Sequence, residues 1–499
     1  MYISTRGNDS LIPASLAIIK GIALDNGLYV PEKIPKIKDS LEFIASLSYK
    51  ELAIYILKNY LDDFNLDELE EAINKAYDSK FVNNNITPMN KKGNLYFLEL
   101  YHGQTLAFKD IALSLFPYLL KESLIKNSIN KEIVILVATS GDTGKASLEA
   151  FKDIPGIKVI VFYPKSGVSS LQEIQMLTQE GNNTFVVSLD GNFDDAQRAI
   201  KDIFNDSKIK NDLFNSNILL SSANSINIGR FLPQIVYYFY SYLHLLRNNE
   251  IAINEKINFV VPTGNFGNIL AGYYSKLMGL PINKLICASN ENNVLTEFIN
   301  TGIYNTNRNF KITSSPSMDI LISSNLERLL YEISNRDSNL INNLMSKLYT
   351  DGIYKIPDFM KERLLCFYGG FASEEETKSA IKEVYTNFNY LIDPHTAVGY
   401  SVYNKYRKDT NDKSKTILLS TASPFKFPEV LTEALEINMN SHNCFDMINT
   451  ISSLTKISIP TSLNNLSKKP IVQFNSCNKT EMKKIIYKIL QVGDVYDKD

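Results

Sequence analysis

A lysine set among apolar neighbours, Leu106-Ala107-Phe108-Lys109-Asp110-Ile111-Ala112-Leu113, opens a helical stretch of this chain. Lysines are rarely buried without cause. Desolvation favours the neutral amine, the form that can join a carbonyl carbon as a Schiff base. The competing reading is that Lys109 snorkels to solvent or pairs with Asp110, and for the residue taken alone that plainer reading is favoured; only its company changes the balance.

Three further segments share one design, an apolar strand that breaks into a small polar loop at its carboxyl end, where open α/β sheets hold their ligands. Val137-Ala138-Thr139-Ser140-Gly141-Asp142-Thr143-Gly144 runs into a helix over 145–152 and reads as an anion cradle of backbone N–H groups, hydroxyls and a helix N-terminus. It is no Walker A loop, which would need Gly at Thr139 and Ser or Thr at Ala146. Val260-Val261-Pro262-Thr263-Gly264-Asn265-Phe266-Gly267-Asn268 leads into a second helix. A dinucleotide fingerprint would need glycines at Phe266 and Ile269, so what remains is a seat for a single phosphate or a plain structural turn. The third segment, ending in Thr421-Ala422-Ser423-Pro424, puts a hydroxyl at a strand end.

These loops need a scaffold, and its signature surrounds them. Short β-branched runs at 132–139, 157–163, 184–189, 217–222, 257–263, 285–289 and 416–421 alternate with helical stretches, as βαβ units do. Uninterrupted runs such as Ile133-Val134-Ile135-Leu136-Val137 suit parallel strands covered on both faces. Before them, apolar residues at i, i+3, i+4 and i+7 from Lys50 to Tyr77 predict a helical N-terminal region, followed by a polar connection that includes Asn83-Asn84-Asn85. The bulk of the chain therefore reads as α/β.

Composition narrows the partners. The 499 residues carry 52 Lys and Arg against 54 Asp and Glu, a net charge of −2 with no basic stripe, which argues against nucleic acid. Cys287, Cys366, Cys444 and Cys477 make no CxxC pair, and His102, His244, His395 and His442 make no HExxH pair, so no metal is expected and a reducing, cytoplasmic setting is. The apolar stretch 11–19 lacks a basic leader and a small-residue cleavage site and reads as mature protein. The greasy run 231–246 is interrupted by Gln234, Ser241 and His244 and reads as a core helix, so no membrane is expected either.

Taken together, the segments resemble threonine synthases, pyridoxal-phosphate (PLP) enzymes of the tryptophan-synthase-β fold type. The resemblance runs nearly end to end. It starts with Ile3-Ser4-Thr5-Arg6-Gly7 and Asp25-Asn26-Gly27-Leu28-Tyr29-Val30 and passes through LELYHGQTLAFKD (98–110), TSGDTG (139–144) and SANSINIGR (222–230). It ends with PTGNFGN (262–268), SPSMD (315–319) and DPHTAVG (393–399), and the N-terminal segment looks like the longer branch of the family. It implies fold type II, two open parallel-type sheets flanked by helices, with a mostly helical region at 1–92. It further implies a large PLP-binding domain at 93–130 and 220–499 with insertions near 300–390, and a small α/β domain at 131–219.

By the same resemblance Lys109 holds PLP and is the catalytic base, Gly264, Asn265, Phe266 and Asn268 grip the cofactor phosphate, and Thr421 sits at the pyridine nitrogen. Ser140, Gly141, Asp142 and Thr143 approach the substrate carboxylate and the cofactor ring, while Asn224, Ser225 and Arg230 surround the substrate phosphate, a dianion suited to a guanidinium fork. The implied reaction is γ-elimination of phosphate from O-phospho-L-homoserine, then addition of water at Cβ to give L-threonine, the last step of threonine biosynthesis, by a monomer or homodimer. A phospholyase or a serine/threonine dehydratase of the same fold, and a non-catalytic paralogue, are the alternatives; Arg230 with Asn224 and Ser225 speaks against the dehydratase, and the presence of Lys109 against the paralogue. Two departures from the family pattern stand out: Gln104 where a proline is usual, and Ser423 where a histidine is usual.

Overall fold

A computed structural model of the chain describes residues 1–492 apart from 84, 166, 192 and 440–442, so Asn84 and His442 lie outside the described residues. The helical N-terminal pattern resolves into two helices, Tyr49–Leu57 and Leu66–Ala76, each opened by a capping box, Ser48 with Glu51 and Asn65 with Glu68. The second box supplies a helix start that the periodicity alone does not mark. The strand Tyr2–Ser4 pairs antiparallel with Tyr29–Pro31 at the edge of this region.

Two larger sheets carry the rest. The first has the order Phe367–Phe371, Ile282–Ser289, Ile257–Pro262, Thr416–Ser420, Leu95–Glu99, Met89–Lys92, parallel throughout except for the last pair, which is antiparallel. The second, all parallel, has the order Asn475–Asn478, Thr184–Asp190, Ile157–Pro164, Glu132–Ala138, Ile218–Ser222. Strand side chains alternate between distinct cores: Phe259 and Val261 enter one and Val260 another, and likewise Ile133, Ile135 and Val137 against Val134 and Leu136. Both faces are thus covered by helices, which is why these strands read as unbroken apolar runs.

The partition between the sheets departs from the expected borders in three places. Met89–Lys92 pairs with Leu95–Glu99, so a border after residue 92 would cut a hairpin. Phe367–Phe371, within the expected insertion, is an edge strand of the larger sheet, because its backbone ladder with Ile282–Ser289 outweighs a glycine pair that reads as a turn. Asn475–Asn478, within the part of the chain expected in the large domain, belongs to the smaller sheet. The run at 231–246 is a buried core helix, Gln234–Arg247, and among the described residues no helix is long and apolar enough to cross a membrane.

Candidate active site

The carboxyl ends of both sheets face one cavity of about 80 Å3, the space open to the centre of a water molecule. From the larger sheet come the loop after Ile257–Pro262 and Thr421 after Thr416–Ser420; from the smaller come the loop after Glu132–Ala138 and Asn224 and Ser225 after Ile218–Ser222. Every residue proposed from sequence lines this cavity except Gly141. Gly141 lies behind the wall at φ 124°, where an added Cβ would stand 2.5 Å from Gln172, so its contribution is the turn itself.

Lys109 is the first residue of the helix Lys109–Lys126, held there by a short antiparallel bridge between Ala107 and Ala422. The Phe108 N–H donates to the Thr421 carbonyl at 2.8 Å and the Ser423 N–H to the Leu106 carbonyl at 3.0 Å. This bridge brings Lys109 and Thr421 to the same wall, and the departure at Ser423 contributes through its backbone, off the wall. Gln104 is exposed and equally remote. Lys109, 8% exposed, donates through Nζ to Asp142 Oδ2 at 3.1 Å and to Ser317 Oγ at 3.3 Å. Burial pushes this ammonium below the ordinary lysine range; Asp142 acts to raise it, and the Arg230 and Lys426 cations act to lower it.

Asp142 is shared. Its Oδ1 accepts from Lys426 Nζ at 2.6 Å and from Gln172 Nε2 at 2.8 Å, and its Oδ2 accepts from Lys109 and from Ser317 Oγ at 3.2 Å. Burial opposes its charge, but the two lysines outweigh burial and hold the carboxyl well below its usual range. By the resemblance Asp142 belongs to a loop that approaches the substrate carboxylate and the cofactor ring; its oxygens face Lys109, Lys426, Gln172 and Ser317, and Ser140 and Thr143 stand on either side of it on the cavity, at the N-terminus of the helix Asp142–Phe151.

The glycine loop at Thr263–Asn268 forms the opposite wall. Gly264 packs so close to the 315–319 segment that a Cβ would stand 2.6 Å from the Ser317 carbonyl oxygen. Phe266 adopts the left-handed conformation, φ 60°, and turns the chain into the helix Gly267–Met278, whose N-terminus opens on the cavity. Asn268 Oδ1 accepts from the Tyr237 and Tyr238 hydroxyls at 2.6 and 3.0 Å, while its Nδ2, buried, has no acceptor among the described residues. An unsatisfied buried donor beside a helix N-terminus and a glycine cradle fits a phosphate group. With a desolvated lysine on the same cavity, the donor set fits pyridoxal phosphate, an aldehyde carrying a phosphate.

Arg230 is 4% exposed and its guanidinium is pushed down to about 10 by burial. It donates to the Ala223 carbonyl at 2.8 Å and to Thr143 Oγ1 at 3.4 Å, and among the described residues it has no carboxylate partner. Asn224 Nδ2 donates to the Ala138 carbonyl at 3.2 Å, tying the Arg230 side of the cavity to the 139–143 loop. Arg328, wholly buried, fixes the neighbouring backbone by donating to the carbonyls of Ser225 and Ile226 at 3.3 and 2.6 Å and of Tyr29 at 3.0 Å.

Sequence reasoning assigned no role to four residues gathered here: Ser317 and His395, which line the cavity, and Lys426 and Asp393, which stand behind its wall as partners of Asp142 and His395. His395 Nδ1 lies 2.8 Å from Asp393 Oδ1 and its Nε2 accepts the Ser317 N–H at 3.3 Å, which places the proton on Nδ1. Their signals were present, in SPSMD, DPHTAVG and the segment after Thr421, but nothing local marked them as neighbours.

Comparison with known proteins agrees with this geometry. Three family models match the chain: "Threonine synthase N terminus" over residues 1–77, "Pyridoxal-phosphate dependent enzyme" over 84–422 and "Threonine synthase, C-terminal" over 396–485. Threonine synthase of Saccharomyces cerevisiae is 37% identical over 87% of this chain and 89% of its own. Human threonine synthase-like 1 is 40% identical over 88% of this chain, which spans 61% of that longer protein. The crystal structure of PLP-bound threonine synthase from Brucella melitensis superposes with a TM-score of 0.85 at 34% identity, covering 98% of both chains. With a buried lysine, a phosphate cradle and an uncompensated arginine on one cavity, and with matches that run from end to end, the chain belongs to the threonine synthase family of pyridoxal-phosphate-dependent enzymes.

Proposed function

We propose that the protein converts O-phospho-L-homoserine and water into L-threonine and inorganic phosphate in the cytoplasm, and that Lys109 carries its PLP. The observation that supports this most directly is the pairing, on one cavity, of a lysine desolvated towards the neutral amine with a buried arginine that has no carboxylate of its own. The first suits a carbonyl, the second an anionic end of the substrate. Gly264, Asn265, Phe266 and Asn268 would hold the cofactor phosphate, and Thr421 would offer the pyridine nitrogen a neutral hydroxyl. When bound, the cofactor supplies a sink for the negative charge that develops on the substrate carbons.

The remaining work belongs to the chain. Ser140, Thr143 and the adjacent helix N-terminus orient the substrate carboxylate, while Arg230, Asn224 and Ser225 hold the phosphate and take up its charge as the Cγ–O bond breaks. Lys109, displaced by the substrate amine, is placed to move protons: it removes one at Cα and one at Cβ, and returns protons at Cγ and Cα. The oxygen of water bonds to Cβ and its proton leaves with phosphate, so atoms and charge balance.

The test incubates the PLP-loaded protein with O-phospho-L-homoserine and follows phosphate and amino acid together, with Lys109→Ala as the control. Equal threonine and phosphate, both lost in Lys109→Ala, is the expected result. Phosphate with 2-oxobutyrate in place of threonine would make the protein a phospholyase, and no turnover would remove the proposal.

A further inference from the structure

Two ammonium groups share one carboxylate at the wall of this cavity, one on the cavity and one behind it, and the sharing is unequal. Lys426 has no exposure at all and sits 2.6 Å from Asp142 Oδ1, with a second acceptor in the Thr105 carbonyl at 2.9 Å. Lys109 sits 3.1 Å from the other oxygen, which Ser317 also occupies. Asp142 lies on the smaller sheet's first helix and both lysines on segments of the larger sheet, so the carboxylate also ties the two bodies together.

We propose that Lys426 is a positioning residue that acts on Lys109 through Asp142: by neutralising the carboxylate from its far oxygen it leaves Lys109 oriented but without a counter-ion of its own, and so free to react as a neutral amine.

Charge balance among these buried groups decides which amine gives up its proton. A buried Lys109–Asp142 pair by itself would hold the lysine as an ammonium, because breaking a buried pair by removing a proton strands the remaining charge. Adding Lys426 makes the cluster two cations to one anion, and Arg230 adds a third cation nearby. The proton then leaves from the cation with the weaker hold, and Lys109 has the longer contacts. Asp110 is a second carboxylate in the field of Lys426 and is held by the N–H and hydroxyl of Thr105, so with Arg230 the cations still outnumber the carboxylates, three to two; the imidazole of His395 is hydrogen-bonded to Asp393, and Ser317 and Gln172 are neutral. Once Lys109 has given up its charge, Lys426 and Asp142 remain as a matched pair holding the wall in place.

This inference rests on Lys109 being the amine that receives the cofactor, and its test needs no substrate and no turnover. The cofactor-free protein is exposed to a trace of acetic anhydride across a pH series, and the extent of Lys109 acetylation is read by mass spectrometry of its peptide. In Lys426→Met the labelling midpoint of Lys109 should move up by about 1–3 pH units, as Lys109 becomes the one lysine paired with Asp142. In Lys426→Arg, which keeps the charge, it should stay within a few tenths of a unit of the parent. Circular dichroism checks that each variant is folded. Should Lys426→Met not fold, Lys426→Gln, neutral but still able to donate to the Thr105 carbonyl, takes its place with the same expectation. A Lys109 midpoint that does not rise in the neutral variant, or that rises equally in Lys426→Arg, would overturn the proposal. A wrong substrate assignment would leave the labelling result standing, so the two readings fail separately.

Discussion

Asp110 stands next to the proposed cofactor lysine, yet the sequence gives it no more weight than any helix-start carboxylate. Burial, partly offset by its hydrogen bonds from Thr105 and by the Lys426 cation, pushes its carboxyl up to about 6. The folded protein therefore holds this proton more tightly than the unfolded chain, whose carboxyl titrates near ~3.9. Where the native state binds more protons, stability falls as pH rises, so the loss accumulates between about pH 4 and 6 and stays constant above. A shift of about two units corresponds to ~3 kcal/mol at most. Asp110→Asn removes the titration and keeps the geometry, since its oxygen can accept the Thr105 N–H and its amide can donate to the Thr105 hydroxyl. Denaturant midpoints should show the variant more stable than the parent by ~1–3 kcal/mol at pH 8 and about equal near pH 4. A parent protein with no pH dependence across that window would refute the assignment. At this scale the sequence was legible for Lys109 and Arg230, whose types are informative where they stand. It was not legible for Lys426, because a lysine's burial against Asp142, 284 residues away, has no local signature.

The loop-and-helix elements that line the cavity owe their shape to close backbone approach, and Gly264 is where this is tightest. A Cβ there would meet not a flexible side chain but the Ser317 carbonyl oxygen at 2.6 Å and Met318 Cα at 3.3 Å. Gly264→Ala must therefore displace either the phosphate cradle or the segment that presents Ser317 to Asp142. Overpacking of this kind costs ~1–3 kcal/mol, which corresponds to about 5–150-fold in affinity if it falls on cofactor binding. Titration of the cofactor-free protein with PLP, followed by fluorescence, should show a weakening in this range. Unchanged affinity together with an unchanged melting temperature would contradict the packing argument. The same close packing explains which elements could be read from sequence. Strands that bury both faces announce themselves as β-branched runs, as at Ile133–Val137. Phe367–Phe371 does not, because helices Val294–Thr301 and Pro394–Thr410 press on its two faces. A Cβ at Gly369 would lie 3.0 Å from the Thr296 carbonyl oxygen and one at Gly370 2.7 Å from Val402, so glycines fill the strand and imitate a turn.

Across the whole molecule, the two sheets turn their carboxyl ends to one cavity, and the smaller sheet is completed by the far end of the chain. Asn475–Asn478 pairs with Thr184–Asp190, and the helix Met482–Leu490 buries Met482, Ile486 and Leu490 in the core behind it. Just before the strand, Gln473 makes three connections in place of a ladder: its Oε1 accepts the Val186 N–H and its Nε2 donates to the Gln179 and Thr184 carbonyls, each at 3.1 Å. That side chain is only 9% exposed, so Gln473→Ala strands three backbone groups out of reach of most water. Unpaired buried polar groups cost ~1–3 kcal/mol each, although water admitted by the smaller side chain will offset part of this. The loss should fall on one body. Hydrogen exchange in the variant should quicken in Thr184–Asp190 and in the C-terminal strand and helix, while Ile257–Pro262 and Thr416–Ser420 in the larger sheet keep their parental protection. Exchange that quickened equally in both sheets would mean that they open as a single cooperative unit. The localised result would instead assign the smaller sheet, with Ser140 and Thr143 at its carboxyl end, an opening equilibrium of its own, through which its half of the cavity wall can separate from the lysine-bearing half without the larger sheet unfolding.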